Sequence, residues 1–238
     1  MKEYRKLVPL LSDNGKHTVV SVDLRGMGES DVNFKSYEPE DTGHDLISLI
    51  AELKRTNVVL VGCSMSAASV VFASAEYNVP SSIRAAIFIS PFIWDHAMPF
   101  GVPTLLSLLV TSFTGAWFWT DYYKTLYTLK SQPVDDLEPY CAQLAKNLKE
   151  KGRISALRGH LFGSKASCDQ KCQVIAAREL PVFAIYGEKD PDFASHGLEV
   201  EKEGLKKRFP YIAQPLIVPG CVRMSSSLLW LRRPYSSF

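Results

Sequence analysis

The feature that most constrains this chain is a repeated alternation between short, continuous apolar runs and longer helical patterns. Five runs rich in β-branched residues stand at positions 17–23 (HTVVSVD), 58–62 (VVLVG), 85–90 (AAIFIS), 181–187 (PVFAIYG) and 215–220 (PLIVPG). They are continuous rather than alternating, which is the pattern of strands covered by helices on both faces. Between them, residues 41–55 carry Leu46, Ile47, Leu49, Ile50 and Leu53 on one helical stripe. Residues 65–77 are rich in Ala and Val, small enough to pack closely on a sheet, and 195–208 is strongly charged with Leu198 and Leu205 facing inward. Strand, helix, strand in this rhythm predicts an α/β fold with a mostly parallel sheet and right-handed crossovers. A chain of 238 residues holds one such core plus an insertion, so one domain is expected.

Residues 93–176 break the rhythm. They contain Trp94, Trp117, Trp119 and the Tyr122-Tyr123 pair, followed by a polar helical stretch over 137–151. Positions 97–120 carry no charge and are long enough to cross a bilayer. Pro99, Gly101, Pro103 and Gly115 interrupt them, however, leaving only 104–114 as an unbroken apolar segment, too short to span. A helical, apolar lid inserted into a globular domain accounts for the stretch more simply. The expected organisation is a core of 1–92 and 177–220, a lid of 93–176 and an atypical tail of 221–238.

Charge and cysteines narrow the function classes. A net charge of +2 with scattered Lys and Arg gives no argument for nucleic acid or for an acidic membrane surface. Five cysteines behind a start with no apolar leader read as reduced thiols, and the expected location is cytoplasmic. Cys168 and Cys172 with His160 match no zinc spacing, so no metal is expected.

The chemistry-bearing residues begin at Gly62-Cys63-Ser64-Met65-Ser66-Ala67, between an apolar strand and a small-residue helix. A serine on a sharp strand-to-helix turn takes a strained backbone conformation, so small residues must stand two places before and after it. Gly62 and Ser66 do so. Such a turn lifts the Ser64 hydroxyl above the sheet and offers the Met65 amide to a developing oxyanion. On the residues alone, Ser64 could instead be a helix cap. Upstream, Asp23-Leu24-Arg25-Gly26-Met27-Gly28-Glu29-Ser30 is a strand end with a glycine-rich turn; the third glycine of a dinucleotide fingerprint is absent.

The D-x-R-G-x-G-x-S turn, the G-x-S-x-S string and Tyr186-Gly187-Glu188-Lys189-Asp190-Pro191, in this order, resemble the α/β-hydrolase superfamily over roughly residues 4–220. The resemblance implies a serine hydrolase acting on a carboxylic ester, with a fairly apolar small-molecule substrate and no cofactor. It places Ser64 as nucleophile, the Met65 amide in the oxyanion hole and Asp190 as the acid that holds a histidine, with Asp192 an alternative two residues on. It also makes 93–176 the lid, with Trp94, Trp117, Trp119 or Phe118 lining an apolar pocket.

Two departures accompany the resemblance. In Val218-Pro219-Gly220-Cys221-Val222-Arg223, Arg223 stands where the family has its histidine, and the residues after it read like unrelated sequence. Without that base Ser64 is a poorly activated alcohol, with His96 and His160 the nearest substitutes in or beside the lid. At the other end, Arg5 to Leu11 resembles the family's first helix, so the strand before it and its H-G loop, source of a second oxyanion donor, are expected to be missing. A catalytically impaired truncated or spliced form, or a ligand-binding pseudoenzyme, is the alternative function.

Overall fold

A computed structural model of the chain describes residues 4, 7–12, 17–76, 82–94, 102–111, 113–127, 136–163, 167–193 and 197–221. Four strands form one sheet: β1 (Val58–Cys63), β2 (Ile83–Ile89), β3 (Val182–Gly187) and β4 (Leu216–Val218), in that spatial order. All three pairings are parallel, with Cys63 opposite Ile89, Ile89 opposite Ile185, and Gly187 opposite Val218. The helices are α1 (Leu7–Ser12), α2 (Pro39–Glu52), α3 (Ser66–Ala75), α4 (Val102–Leu109), α5 (Gly115–Tyr127), α6 (Leu137–Leu148), α7 (Arg153–Phe162), α8 (Cys168–Ala177) and α9 (Gly197–Arg208), with a 3₁₀ turn at Pro191–Phe193. The α/β architecture expected from the alternating runs is therefore present.

One of the five expected strands is not. Residues 17–23 form no strand, and Val20 and Val22 are exposed. A strand exists only where a neighbour takes its amides and carbonyls, and none of the four described strands pairs with this segment. As a result β1, expected to be central, is an edge strand among the described residues.

The main core lies on one face of the sheet. Every residue from Ala67 to Ala75 of α3 is buried, and Ala67, Ala68 and Ala73 are completely so. Their small side chains let α3 lie close against Leu60, Ala86, Phe88, Ala184 and Tyr186 of the strands. Ile50 of α2 and Leu205 and Phe209 at α9 complete the cluster. Cys168, Cys172 and Ile175 of α8 belong to it too, so this last helix of the expected lid packs as part of the core.

The other face is covered unevenly. Leu7 and Leu10 of α1, with Tyr4, pack on Cys63, Ile89, Ile185 and Val218 at the carboxyl end of the sheet. Towards the amino end, Val59, Phe183 and Leu216 are about half exposed. Six residues of helix are too short to shield the full length of a strand.

A second apolar cluster holds α5, α6 and α7 together with the end of α4. Val110, Ala116, Leu148, Ile154 and Leu157, from the end of α4 and from α5, α6 and α7, form its buried centre. Met27 and Met65 from the core side, and Phe118 and Trp119 from α5, pack against it. No helix of the described residues is long and apolar enough to cross a membrane.

Candidate active site

The site is built where β1 ends. Ser64 follows Cys63 directly and has φ of +52°, in the left-handed region that a residue with a Cβ rarely occupies. The strained conformation is held from several sides. The Ser64 amide donates to the Ile89 carbonyl at 2.9 Å, continuing the β1–β2 ladder, while its carbonyl accepts from the Phe92 amide at 3.1 Å. Ser66 Oγ accepts from the Cys63 amide and donates to the Cys63 carbonyl, both at 2.8 Å, closing the turn from below.

The glycine before the serine is obligatory. A Cβ on Gly62 would stand 2.7 Å from Ala67 Cα and 2.9 Å from its amide nitrogen, inside the backbone of α3. The requirement for a small residue two places before Ser64 thus has a measurable cause. The helix starts at Ser66, one residue later than the sequence pattern placed it, with Met65 as its N-cap. Among the described residues, neither the Ser64 hydroxyl nor the Met65 amide has a hydrogen-bond partner, so one hydroxyl and one amide donor stand open side by side.

Asp190 lies at the same edge of the sheet, three residues beyond the end of β3. Because all strands are parallel, β1 and β3 deliver Ser64 and Asp190 to one carboxyl edge. Asp190 is only 3% exposed, and its Oδ1 accepts from the Asp192 amide at 3.1 Å. The loop after β4 is fastened to this turn: the Lys189 amide donates to the Cys221 carbonyl at 2.7 Å, and the Gly220 amide to Glu188 Oε2 at 2.7 Å. Arg223, His96 and His196 lie outside the described residues.

Residues 2–221 match the family described as the alpha/beta hydrolase family. This chain belongs to the alpha/beta hydrolase family. It is 36% identical over 97 residues to 2-(acetamidomethylene)succinate hydrolase of Mesorhizobium japonicum, a match that spans 40% of this chain and only 34% of the relative. A hydrolase from Oleispira antarctica superposes with a TM-score of 0.67 at 18% identity, covering 92% of this chain and 78% of the other. A carboxylesterase from Nitrososphaera gargenis gives 0.65 at 17% identity, with 92% and 77% covered. At these identities the solved structures speak for the fold alone.

Within the segment expected to be a lid, α5 approaches the serine turn. Phe118 and Trp119 pack in the same cluster as Met65, the residue directly after Ser64. Of the other aromatic residues expected to line a pocket, Trp94 is elsewhere: the Arg208 guanidinium lies 4.4 Å above its ring, and Gly204 leaves room for it against α9. Trp117 faces solvent. α5 alternates sides within three residues because 3.6 residues per turn carries 118 and 119 inward and 117 outward.

The D-x-R-G-x-G-x-S turn is fastened to α7. Asp23 Oδ2 accepts from the Glu29 amide, and the Arg25 guanidinium forks onto Asp45 with two bonds of 2.6 Å, which raises its pKa further. Gly26, at φ +77°, would drive a Cβ to 2.2 Å from Ala156 Cβ of α7. From α7, His160 Nε2 meets the Arg25 carbonyl at 2.9 Å and its ring packs on Tyr37, while Arg153 donates to the Ser30 carbonyl. His160, a candidate substitute base, is thus a fastening between lid and core. A cleft of about 350 Å³ beside this turn is lined by Asp23, Arg25, Phe34 and Asp45 among others; it contains neither Ser64, Met65 nor Asp190.

Cys168 and Cys172 are fully buried, and burial pushes the Cys172 thiol up to about 12. No group of three or more His, Cys, Asp or Glu side chains among the described residues converges as a metal site. Two residues at the site escaped the sequence reading. Ser90, at the end of β2, has φ of +43° and a buried hydroxyl with no partner. Tyr122 of α5 donates to Asp192, joining the lid to the acid turn. No local sequence signal marks either one.

Proposed function

We propose that this chain's site is built for hydrolysis of a carboxylic ester with a fairly apolar substrate, Ser64 acting as nucleophile. The Ser64 turn carries the reading: a hydroxyl held in a strained, positive-φ conformation, with an open amide next to it, serves no folding purpose that glycine would not serve better. In the reaction, Ser64 Oγ adds to the ester carbonyl carbon while its proton passes to a base. The carbonyl oxygen becomes an oxyanion that accepts from the Met65 amide. The bond to the alcohol then breaks, the proton goes to the leaving oxygen, and water releases the acid from Ser64 by the same two steps. Asp190 would orient and charge-stabilise an imidazole from its buried turn. The apolar preference rests on Met65, Phe118 and Trp119 beside the turn. The sequence relative, itself named a hydrolase, supports a hydrolytic reaction class.

A second reading, a catalytically impaired or ligand-binding chain, has its own observation. Arg223 occupies the family's histidine position, and no described histidine bonds to Ser64: His160 holds the Arg25 carbonyl, and His17 and His44 are exposed. Hydrolysis of a p-nitrophenyl short-chain ester by the 238-residue chain, by Ser64→Ala and by Val222→Gly/Arg223→His weighs the two. The expected result is slow turnover that disappears in Ser64→Ala. Restoring a base in the double variant should raise it by roughly 10²- to 10⁴-fold. Equal rates in all three would remove Ser64 from the chemistry.

A further inference from the structure

The lid carries an apolar surface that the hydrolytic reading does not use. On α4, Leu105 and Leu108 are 56% and 66% exposed; just beyond it Phe113 is 93% and Trp117 69% exposed. The inward residues of the same two segments, Val110 and Ala116, share one buried cluster, so these four side chains look away from it together. Phe162 of α7, also exposed, extends the patch to where the Arg158 guanidinium lies 5.7 Å from its ring. Several large apolar side chains exposed on neighbouring segments mark a candidate interaction surface.

The polar atoms beneath the patch identify the partner. Arg158 donates to the carbonyls of Ser107 and Val110 and to Ser107 Oγ, covering the end of α4 where helix carbonyls are otherwise left open. Thr111 and Thr114 bond to each other at 2.9 Å, Thr114 Oγ1 donates to the Leu109 carbonyl, and Thr120 Oγ1 to the Ala116 carbonyl at 2.6 Å. From 97 to 120 there is no charged residue. A protein partner binds through a rim of hydrogen bonds and charges. Among the described residues this face offers little of that: the hydroxyls of Ser107, Thr111, Thr114 and Thr120 and the Arg158 guanidinium at its edge are bonded within the chain. That is the condition for entering a medium that supplies no hydrogen bonds.

We propose that the outward face of α4 and the first turn of α5 docks on a lipid surface, with Leu105, Leu108, Phe113 and Trp117 entering the headgroup–acyl boundary. These helices are too short to span, so the contact is interfacial. The proposal is independent of ester hydrolysis and is tested without it. Flotation of the full chain with phosphatidylcholine vesicles, which carry no net charge, should show association that persists at about 1 M salt, since no ion pair drives it. Phe113→Ser/Trp117→Ser, and separately Leu105→Ser/Leu108→Ser, should each weaken partitioning about tenfold or more, with circular dichroism unchanged.

Phe183→Ser, on the bare end of the sheet, is the control and should bind like the parent. The proposal is overturned by absence of flotation, by lid variants that float like the parent, by binding that salt abolishes, or by loss that follows Phe183→Ser instead. It is equally overturned if the lid variants dissolve a dimer formed without vesicles, which would assign the face to a second copy of the chain.

Discussion

At Ser64 one backbone angle links the cost of folding to the chemistry proposed for it. A φ of +52° costs a residue with a Cβ about 1–2 kcal/mol, and the ladder bond to Ile89, the bond from Phe92 and the Ser66 bridge hold it there regardless. Ser64→Gly and Ser64→Ala should therefore separate in stability while sharing loss of hydrolysis. The expected outcome is a glycine variant about 1 kcal/mol more stable than the alanine variant in urea denaturation, because alanine keeps the strained Cβ. Ser90 is a second residue of this kind, strained and with a buried, unpartnered hydroxyl. The Ser64 turn was legible because its requirement is local: Gly62, Ser64 and Ser66 lie within five positions. Nothing local distinguishes Ser90 from any serine at the end of a strand.

At the scale of elements, α5 is the piece that ties the lid to the sheet edge. Phe118 and Trp119 reach the Met65 cluster, and Tyr122 donates to Asp192 in the turn after β3. Tyr122→Phe removes a hydrogen bond to a carboxylate and leaves the ring in place. It should cost on the order of 1–2 kcal/mol and raise amide hydrogen exchange in residues 115–127 more than in α3. Equal exchange in the parent and the variant would show that Asp192 does not hold α5. The partner lies 70 residues away in sequence, so the Tyr122-Tyr123 pair could be noticed but not paired. Residues 17–23 show the converse. Their composition reads as a strand, but strand is a property of two segments, and this one has no described ladder partner.

For the molecule as a whole, the burial of Cys172 makes stability depend on alkaline pH. Its thiol is raised from 9.0 to about 12 by burial first, then by Cys168. Below pH 9 both folded and unfolded chains hold that proton, and its contribution is fully present. Between about 9 and 12 the unfolded chain releases the proton while the folded chain keeps it, so stability falls as pH rises. Cys172→Ala should flatten the decline in that window by up to about 1.4 kcal/mol per pH unit, read from urea midpoints across the range. Tyr211, also raised to about 12 by burial, will leave a residual slope in the variant.

The sequence by itself determined what depends on neighbours along the chain. Continuous apolar runs set four parallel strands, small residues set the close fit of α3, and the G-x-S-x-S spacing set the Ser64 turn. Tertiary structure decided what depends on distant partners: that 17–23 is no strand, that α8 joins the core, and that His160 fastens the lid at the Arg25 carbonyl. It also decided that Trp117 faces outward while Phe118 faces Met65. The physical reason is the same in each case. Steric and torsional demands act over a few bonds and leave a local pattern, whereas hydrogen-bond pairing and burial are settled by whichever segment the fold brings alongside.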